Sequence, residues 1–205
     1  MMTTDNTKLN ERSYDAVALR WDDYRRTKDI DPLVVEFIGS LPKNAKVLDV
    51  GCGSGYPIDK YLSDKGFFVV GVDISSRMID LACKADIKNA TFIKADIAEY
   101  APTEKFDAII AFDSLFHIEK SRLLEVFSKL AKALKSGGKM TFTFGKNEGE
   151  TTGKMFGQEF YYASLNLQTT LKLLEDNGLI VKKCVTDHSD EVSGTRELVV
   201  VAVKK

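Results

Sequence analysis

The chain has 205 residues, enough for one well-buried domain and short for two, with 44% apolar residues and a net charge of −1. That near-neutral balance gives no general attraction to nucleic acid or anionic lipid, and no apolar run approaches the length of a membrane span. Cys52, Cys83 and Cys184 are widely spaced and form no CxxC pair, and the polar opening MMTTDNTKLN has no export signal, so reduced thiols and a cytoplasmic location are expected.

In chain order, residues 1–7 read as disordered and residues 8–205 as a single domain. Residues 8–27 read as a helix with Tyr14, Val17, Ala18, Trp21 and Tyr24 on one aromatic-rich face. A second helix opens at Asp31-Pro32, a capping carboxylate followed by proline, and runs to about Ser40; Leu41-Pro42-Lys43-Asn44 then breaks the chain. The next stretch, VLDVGCGSGY, couples a buried strand to Gly51, Gly53 and Gly55 at alternate positions, where the backbone turns sharply and no Cβ keeps a ligand away. Pro57 reads as the first residue of a helix bearing Ile58, Tyr61 and Leu62. A tight turn without a ligand also explains the glycines. A second apolar strand, however, ends on Asp73, eighteen residues beyond Gly55, where a carboxylate can accept bonds from ribose hydroxyls. The pattern points to an adenosine-containing ligand.

Ser75 then reads as the N-cap of a helix carrying Met78, Ile79 and Ala82, residues 91–95 as a third strand ended by Asp96, and residues 106–112 as a fourth. A helix over residues 120–134 has a strong 3.6-residue apolar stripe and closes at Lys135-Ser136-Gly137-Gly138 before a fifth strand at residues 139–144. Residues 145–165 read as a long loop with glycine flex points and aromatic surface, a candidate lid or a stapled loop. After a helix marked by Leu167, Leu171 and Leu174, strands at residues 179–186 and 197–203 are joined by only about ten residues, too few for a parallel crossover. The expected fold is α/β: a Rossmann-like, doubly wound seven-stranded sheet, mostly parallel, with an antiparallel last strand.

In combination these segments resemble the class I S-adenosylmethionine-dependent methyltransferases, in particular the small ones without a large inserted domain. The resemblance covers residues 14–203 and rests on VLDVGCGSG, GVDIS, KADI, FDAIIAFDSLFHI, LKSGGKMTF and LLEDNGLIV, in the family's order. It implies S-adenosyl-L-methionine as cofactor and S-adenosyl-L-homocysteine as product. Asp49, Gly51, Gly53 and Gly55 would lie against the methionine part, and Asp73 would hold the ribose. Ile74 and Met78 would pack on the adenine, Asp96 and Ile97 would bind its edge, and Ala111 and Phe112 would line the cofactor. It also implies that the helices over residues 8–42 cap the site, with Tyr14, Trp21 and Tyr24 in contact.

The implied reaction moves a methyl group to oxygen or nitrogen of a small molecule by in-line displacement, with no metal required. His117, just past the fourth strand, is the first candidate for a base, and His188 a weaker one. Cys52 reads as a small packing residue. Asp113, Phe156, Tyr161 and Tyr162 are candidate acceptor-binding residues. No nucleic-acid or membrane partner is expected, and the protein would be a monomer or homodimer. Two alternatives share the glycine turn: a non-catalytic module that binds S-adenosylmethionine, and a nicotinamide-dependent oxidoreductase. Tyr56 stands where GxGxxG would place its third glycine, and the terminal antiparallel pair also counts against the oxidoreductase.

Overall fold

The computed structural model describes residues 5–191 and 194–205. Its main sheet has seven strands in the order β3-β2-β1-β4-β5-β9-β8. These are β1 (Lys46–Val50), β2 (Phe68–Asp73), β3 (Ala90–Lys94), β4 (Phe106–Ala111), β5 (Leu134–Phe144), β8 (Leu179–Asp190) and β9 (Gly194–Lys204). β1 pairs in parallel with both β2 and β4, whereas β9 runs antiparallel to β5 and β8. The strand order therefore reverses direction between β1 and β4, which opens a crevice beyond their carboxyl ends.

Alternation along the strands divides the core between two sheet faces. Leu48 and Val50 of β1 and Ile109 and Ala111 of β4 pack with α5 (Leu123–Ala133) and α6 (Leu167–Asp176). Val47, Ala108, Ile110 and Phe112 pack instead with α2 (Pro32–Gly39) and α3 (Ile58–Asp64). Asp49 follows Val47 by two residues, so its carboxyl is on the α3 face. Asp31 caps α2 through the Leu33 N–H at 2.9 Å, and Ser75 caps α4 (Ser76–Lys84) through the Met78 N–H at 3.1 Å, both as the sequence predicts.

Several boundaries differ from expectation. α1 (Asn6–Arg26) begins before Lys8, because Asp5 accepts from the Lys8 N–H; residues 5–7 are therefore ordered, while residues 1–4 lie outside the described residues. Pro57 is the cap of α3 rather than its first residue. Residues 120–122 form a 3-10 turn, and α5 ends at Ala133, so the glycines at 137 and 138 belong to an irregular start of β5 that pairs with β4.

The largest correction concerns residues 145–165, which are a β-hairpin rather than a loop. β6 (Gly149–Met155) pairs antiparallel with β7 (Gln158–Ser164) in a separate two-stranded sheet. The two turn residues, Phe156 at φ +51° and Gly157 at φ +83°, have the left-handed backbone that suits the twist of a two-residue hairpin. Phe160, Tyr161 and Ala163 are buried, and β7 packs on α1. No helix among the described residues is long and apolar enough to cross a membrane.

Candidate functional site

Two adjoining cavities open at the carboxyl edge of the sheet. The first is a deep slot of about 120 Å³ between the ends of β1, β2 and β4, with α1 as its outer wall. It brings together eleven of the residues expected to bind the cofactor: Asp49, Gly51, Gly53, Asp73, Ile74, Met78, Asp96, Ile97, Phe112, Tyr14 and Trp21. His117 and Asp113 also face it.

Three expected residues are not in its lining. Ala111 points the other way by strand alternation and is buried among Leu48 and Leu115. Gly55, at φ +82°, is needed for packing, since a Cβ there would come 2.7 Å from Ile87. Tyr24 is 43% exposed and lies outside the slot against Trp21 and Phe156. Gly51, in contrast, lies so close to the segment after β4 that a Cβ would come 2.3 Å from Ser114 Cβ.

Asp73 is held rigidly. Its Oδ2 accepts from the Gly53 N–H at 2.9 Å and its Oδ1 from the Ser75 N–H at 2.8 Å, and each oxygen keeps a lone pair for a ligand hydroxyl. Burial pushes its pKa up to about 6, against the pull of those backbone donors. Asp96 is oriented by the Ala98 N–H at 2.8 Å and Arg122 at 3.3 Å.

His117 has both ring nitrogens engaged. Nδ1 lies 2.9 Å from the Tyr161 carbonyl, which can only accept, so Nδ1 carries the proton. Nε2 then accepts from the Tyr14 hydroxyl at 2.8 Å. Burial lowers the His117 pKa to about 4, partly offset by the Tyr161 carbonyl and the Asp113 charge, so the imidazole is neutral at pH 7. His188 is elsewhere: its Nε2 bonds Asp31 at 2.9 Å, in neither cavity. Cys52 is buried and faces the slot, with burial raising its thiol pKa, so it stays a neutral packing group.

The second cavity, of about 500 Å³, lies between the hairpin and the ends of β4, β5 and β9. Asp113 lines both cavities, and Tyr162, Phe116, Phe144 and Arg196 line this one. Arg196 fixes Asp113 with a two-pronged contact, Nε to Oδ1 at 3.0 Å and Nη2 to Oδ2 at 2.7 Å, and lies 4.5 Å over the Phe112 ring. The other two expected acceptor residues have different roles. Phe156 caps Trp21 and Tyr24 from the hairpin turn, and the buried Tyr161 braces the scaffold by accepting from the Lys120 N–H at 3.3 Å.

Asn10, Arg25, Tyr56 and Arg196 are site residues that sequence reasoning missed. Asn10 donates to the His117 and Tyr161 carbonyls and accepts from the Tyr161 N–H at 2.9 Å, so it joins α1 to the hairpin. Arg25 brings a guanidinium into a slot otherwise rich in carboxylates. Asn10 and Arg25 lie four residues from Tyr14 and Trp21 respectively, on the same helical face; that spacing was the available signal. No group of three or more His, Cys, Asp or Glu side chains among the described residues is arranged to hold a metal ion.

Comparison with known proteins bears on this geometry. A family described as a methyltransferase domain matches residues 47–138, from β1 to the start of β5. A tRNA (carboxymethyluridine(34)-5-O)-methyltransferase of Arabidopsis thaliana is 32% identical over 148 residues, 71% of this chain and 34% of that protein. The chain thus spans about a third of that curated relative. A TehB-like SAM-dependent methyltransferase from Corynebacterium glutamicum is similar in structure, with a TM-score of 0.73, 25% identity and coverage of 96% and 100% of the two chains. The magnesium protoporphyrin IX methyltransferase of Synechocystis, solved with bound SAM, shares the fold over 100% of both chains at a TM-score of 0.75 and 20% identity.

Proposed function

Because the chain belongs to the class I S-adenosylmethionine-dependent methyltransferases, we propose that it transfers a methyl group from that cofactor to an oxygen or nitrogen of a small molecule held in the second cavity. The observation that carries this reading is Asp113, which lines both cavities and so marks where a donor in the slot would meet an acceptor.

The residues of the slot suit the cofactor. Asp73 presents two oxygens with free lone pairs to the ribose, and Ile74, Met78 and Ile97 offer apolar surface for the adenine beside the Asp96 carboxylate. Arg25 is the counter-charge for a carboxylate, Gly53 leaves its backbone open to close approach, and the buried Ser114 hydroxyl has no partner among the described residues. At about 120 Å³ the slot is narrower than the roughly 300–1,000 Å³ of ligand pockets, and Tyr14 and Trp21 of α1 form its outer wall. When bound, S-adenosylmethionine supplies a methyl group already activated on a sulfonium sulfur. The protein then has to align the acceptor and exclude water.

Arg196 holds Asp113 against the acceptor side, and Phe116 and Tyr162, with ring centroids 5.9 Å apart, form an apolar wall. Where the acceptor's reacting atom reaches past Asp113 into the slot, its proton passes to the Tyr14 oxygen as the Tyr14 proton moves to His117 Nε2, so that Tyr14 meets the substrate and His117 stores the proton. A near-neutral chain favours a small molecule over a nucleic acid. The test is a screen of amines, phenols and carboxylates for formation of S-adenosylhomocysteine by the purified protein. Turnover confined to nucleic-acid or protein substrates would refute the small-molecule reading.

A further inference from the structure

The slot has a feature that the methyl-transfer reading does not use. Asp59, in the first turn of α3, is 0% exposed, and neither of its carboxyl oxygens has a hydrogen-bond donor among the described residues. The group facing it is the carboxyl of Asp49, itself 4% exposed, which turns toward α3 by the alternation of β1 and forms part of the slot wall. Two buried carboxyls in contact cannot both be ionised: the repulsion and the lost hydration would cost several kcal/mol. One proton between them turns the same contact into an O–H···O⁻ bond.

We infer that Asp59 and Asp49 form a carboxyl pair behind the slot that reads positive charge in the ligand: holding two protons in the free protein on the acid side of neutrality, it releases one when a sulfonium cofactor binds and keeps the other shared between its oxygens. The coupling to cofactor rests on the proposed function; the shared proton is a property of the chain alone. The surroundings agree. Besides Asp49, the groups near the pair are the Cys52 thiol of the glycine turn, the Asp73 carboxyl of β2 and the Arg25 guanidinium of α1. Burial raises the Asp59 pKa well above the carboxylate range and that of Asp49 to about 7, while Arg25 across the slot opposes the shift on Asp49.

A ligand with a positive sulfur favours the singly ionised pair, and its thioether counterpart, with one positive charge fewer, favours it less. The pair thereby separates substrate cofactor from spent cofactor by charge. Affinity for S-adenosylmethionine should rise by up to tenfold per pH unit below about pH 7 and level off above it. The pH dependence for S-adenosylhomocysteine should be weaker.

The experiment is calorimetric titration of the full chain with each nucleoside at pH 6.0 to 8.0, in buffers of different ionisation enthalpy. A ligand-free carboxyl carbon NMR titration runs beside it. Wild type should release close to one proton on binding S-adenosylmethionine near pH 6.5, and one carboxyl resonance should titrate near pH 7 in the free protein. In Asp59→Asn the amide donates to Asp49 without a shared proton, so release falls to near zero, the pH slope flattens and the titrating resonance disappears. If Asp59→Asn does not fold, the wild-type titration decides alone. Binding without proton release, together with no carboxyl titrating between pH 6 and 8, overturns the pair. A resonance that titrates in a protein binding neither nucleoside overturns the cofactor reading, and the coupling with it.

Discussion

Arg196 is a buried, doubly paired residue whose removal should destabilise the fold strongly. Its side chain is 7% exposed and it ties together three parts of the chain. Nη1 donates to Asp31 Oδ2 at 3.1 Å, Nε and Nη2 grip Asp113 at 3.0 and 2.7 Å, and the guanidinium covers Phe112. Asp31, with its side chain 2% exposed, also caps α2 and accepts from His188 Nε2 at 2.9 Å. Arg196→Met keeps much of the apolar stem but leaves the Asp31 carboxylate buried without its guanidinium. Breaking a buried pair from one side costs about 3–5 kcal/mol, and Asp113, whose side chain is 25% exposed, adds little because solvent screens it. At about 2–4 °C per kcal/mol for a chain of this length, Tm should fall by about 6–20 °C. Arg196→Lys should fall between the two, since an ammonium cannot make both the fork and the Asp31 contact. Adding Asp31→Asn to Arg196→Met should cost less than the sum of the single changes by at least about 1 kcal/mol, because the stranded charge is gone. Urea unfolding of the five proteins, wild type, the three single variants and the double variant, reads all of this. An Arg196→Met variant within about 1 kcal/mol of wild type, or strict additivity, would refute the view of Arg196 as the buried keystone of the β4, β9 and α2 contacts.

The titrating groups of the slot predict opposite pH trends in the ligand-free protein. A carboxyl raised from the usual 3.8 to about 7 contributes stability that is full below about pH 4 and is lost as pH rises through 7, so wild-type Tm should decline over that window while Asp59→Asn stays flatter. His117, lowered from 6.5 to about 4, contributes stability present above pH 6.5 and lost as pH falls through 4, on the order of 3 kcal/mol. His117→Gln should abolish that acid-side loss, and an unchanged acid limb in the variant would contradict a buried neutral imidazole. Tyr14→Phe should leave the cofactor Kd within about threefold but reduce turnover of an identified acceptor by about 10² or more. Equal turnover would remove Tyr14 from proton transfer.

The centre of the sheet was legible because β1, β2 and β4 are continuous apolar runs bounded by glycines and carboxylates, and residues such as Asp49 and Asp73 stand at strand ends where the backbone aims them at the crevice. Ala111 was misplaced because two adjacent residues at a strand end face opposite sides, and only Phe112 faces the slot. The hairpin escaped because β6 has almost no apolar alternation and its turn is Phe156-Gly157 rather than an asparagine-glycine pair; β7 is fixed by tertiary packing of Phe160 and Tyr161 on α1. Asp59 gave no signal of burial. A charged residue in the first turn of a helix is ordinarily solvated, and only the approach of α3 to Asp49 encloses it.

Every role assigned to the slot depends on its taking S-adenosylmethionine. Thermal unfolding with S-adenosylmethionine, S-adenosylhomocysteine, NAD and NADP tests it most directly, using wild type and Asp73→Ala. A ligand at about a hundred times its Kd adds about 2.7 kcal/mol. For a domain of this size that is about 5–10 °C. The prediction is a shift of that size with the two sulfur nucleosides alone, absent in Asp73→Ala. No response to them, or a larger one to NAD, would contradict it.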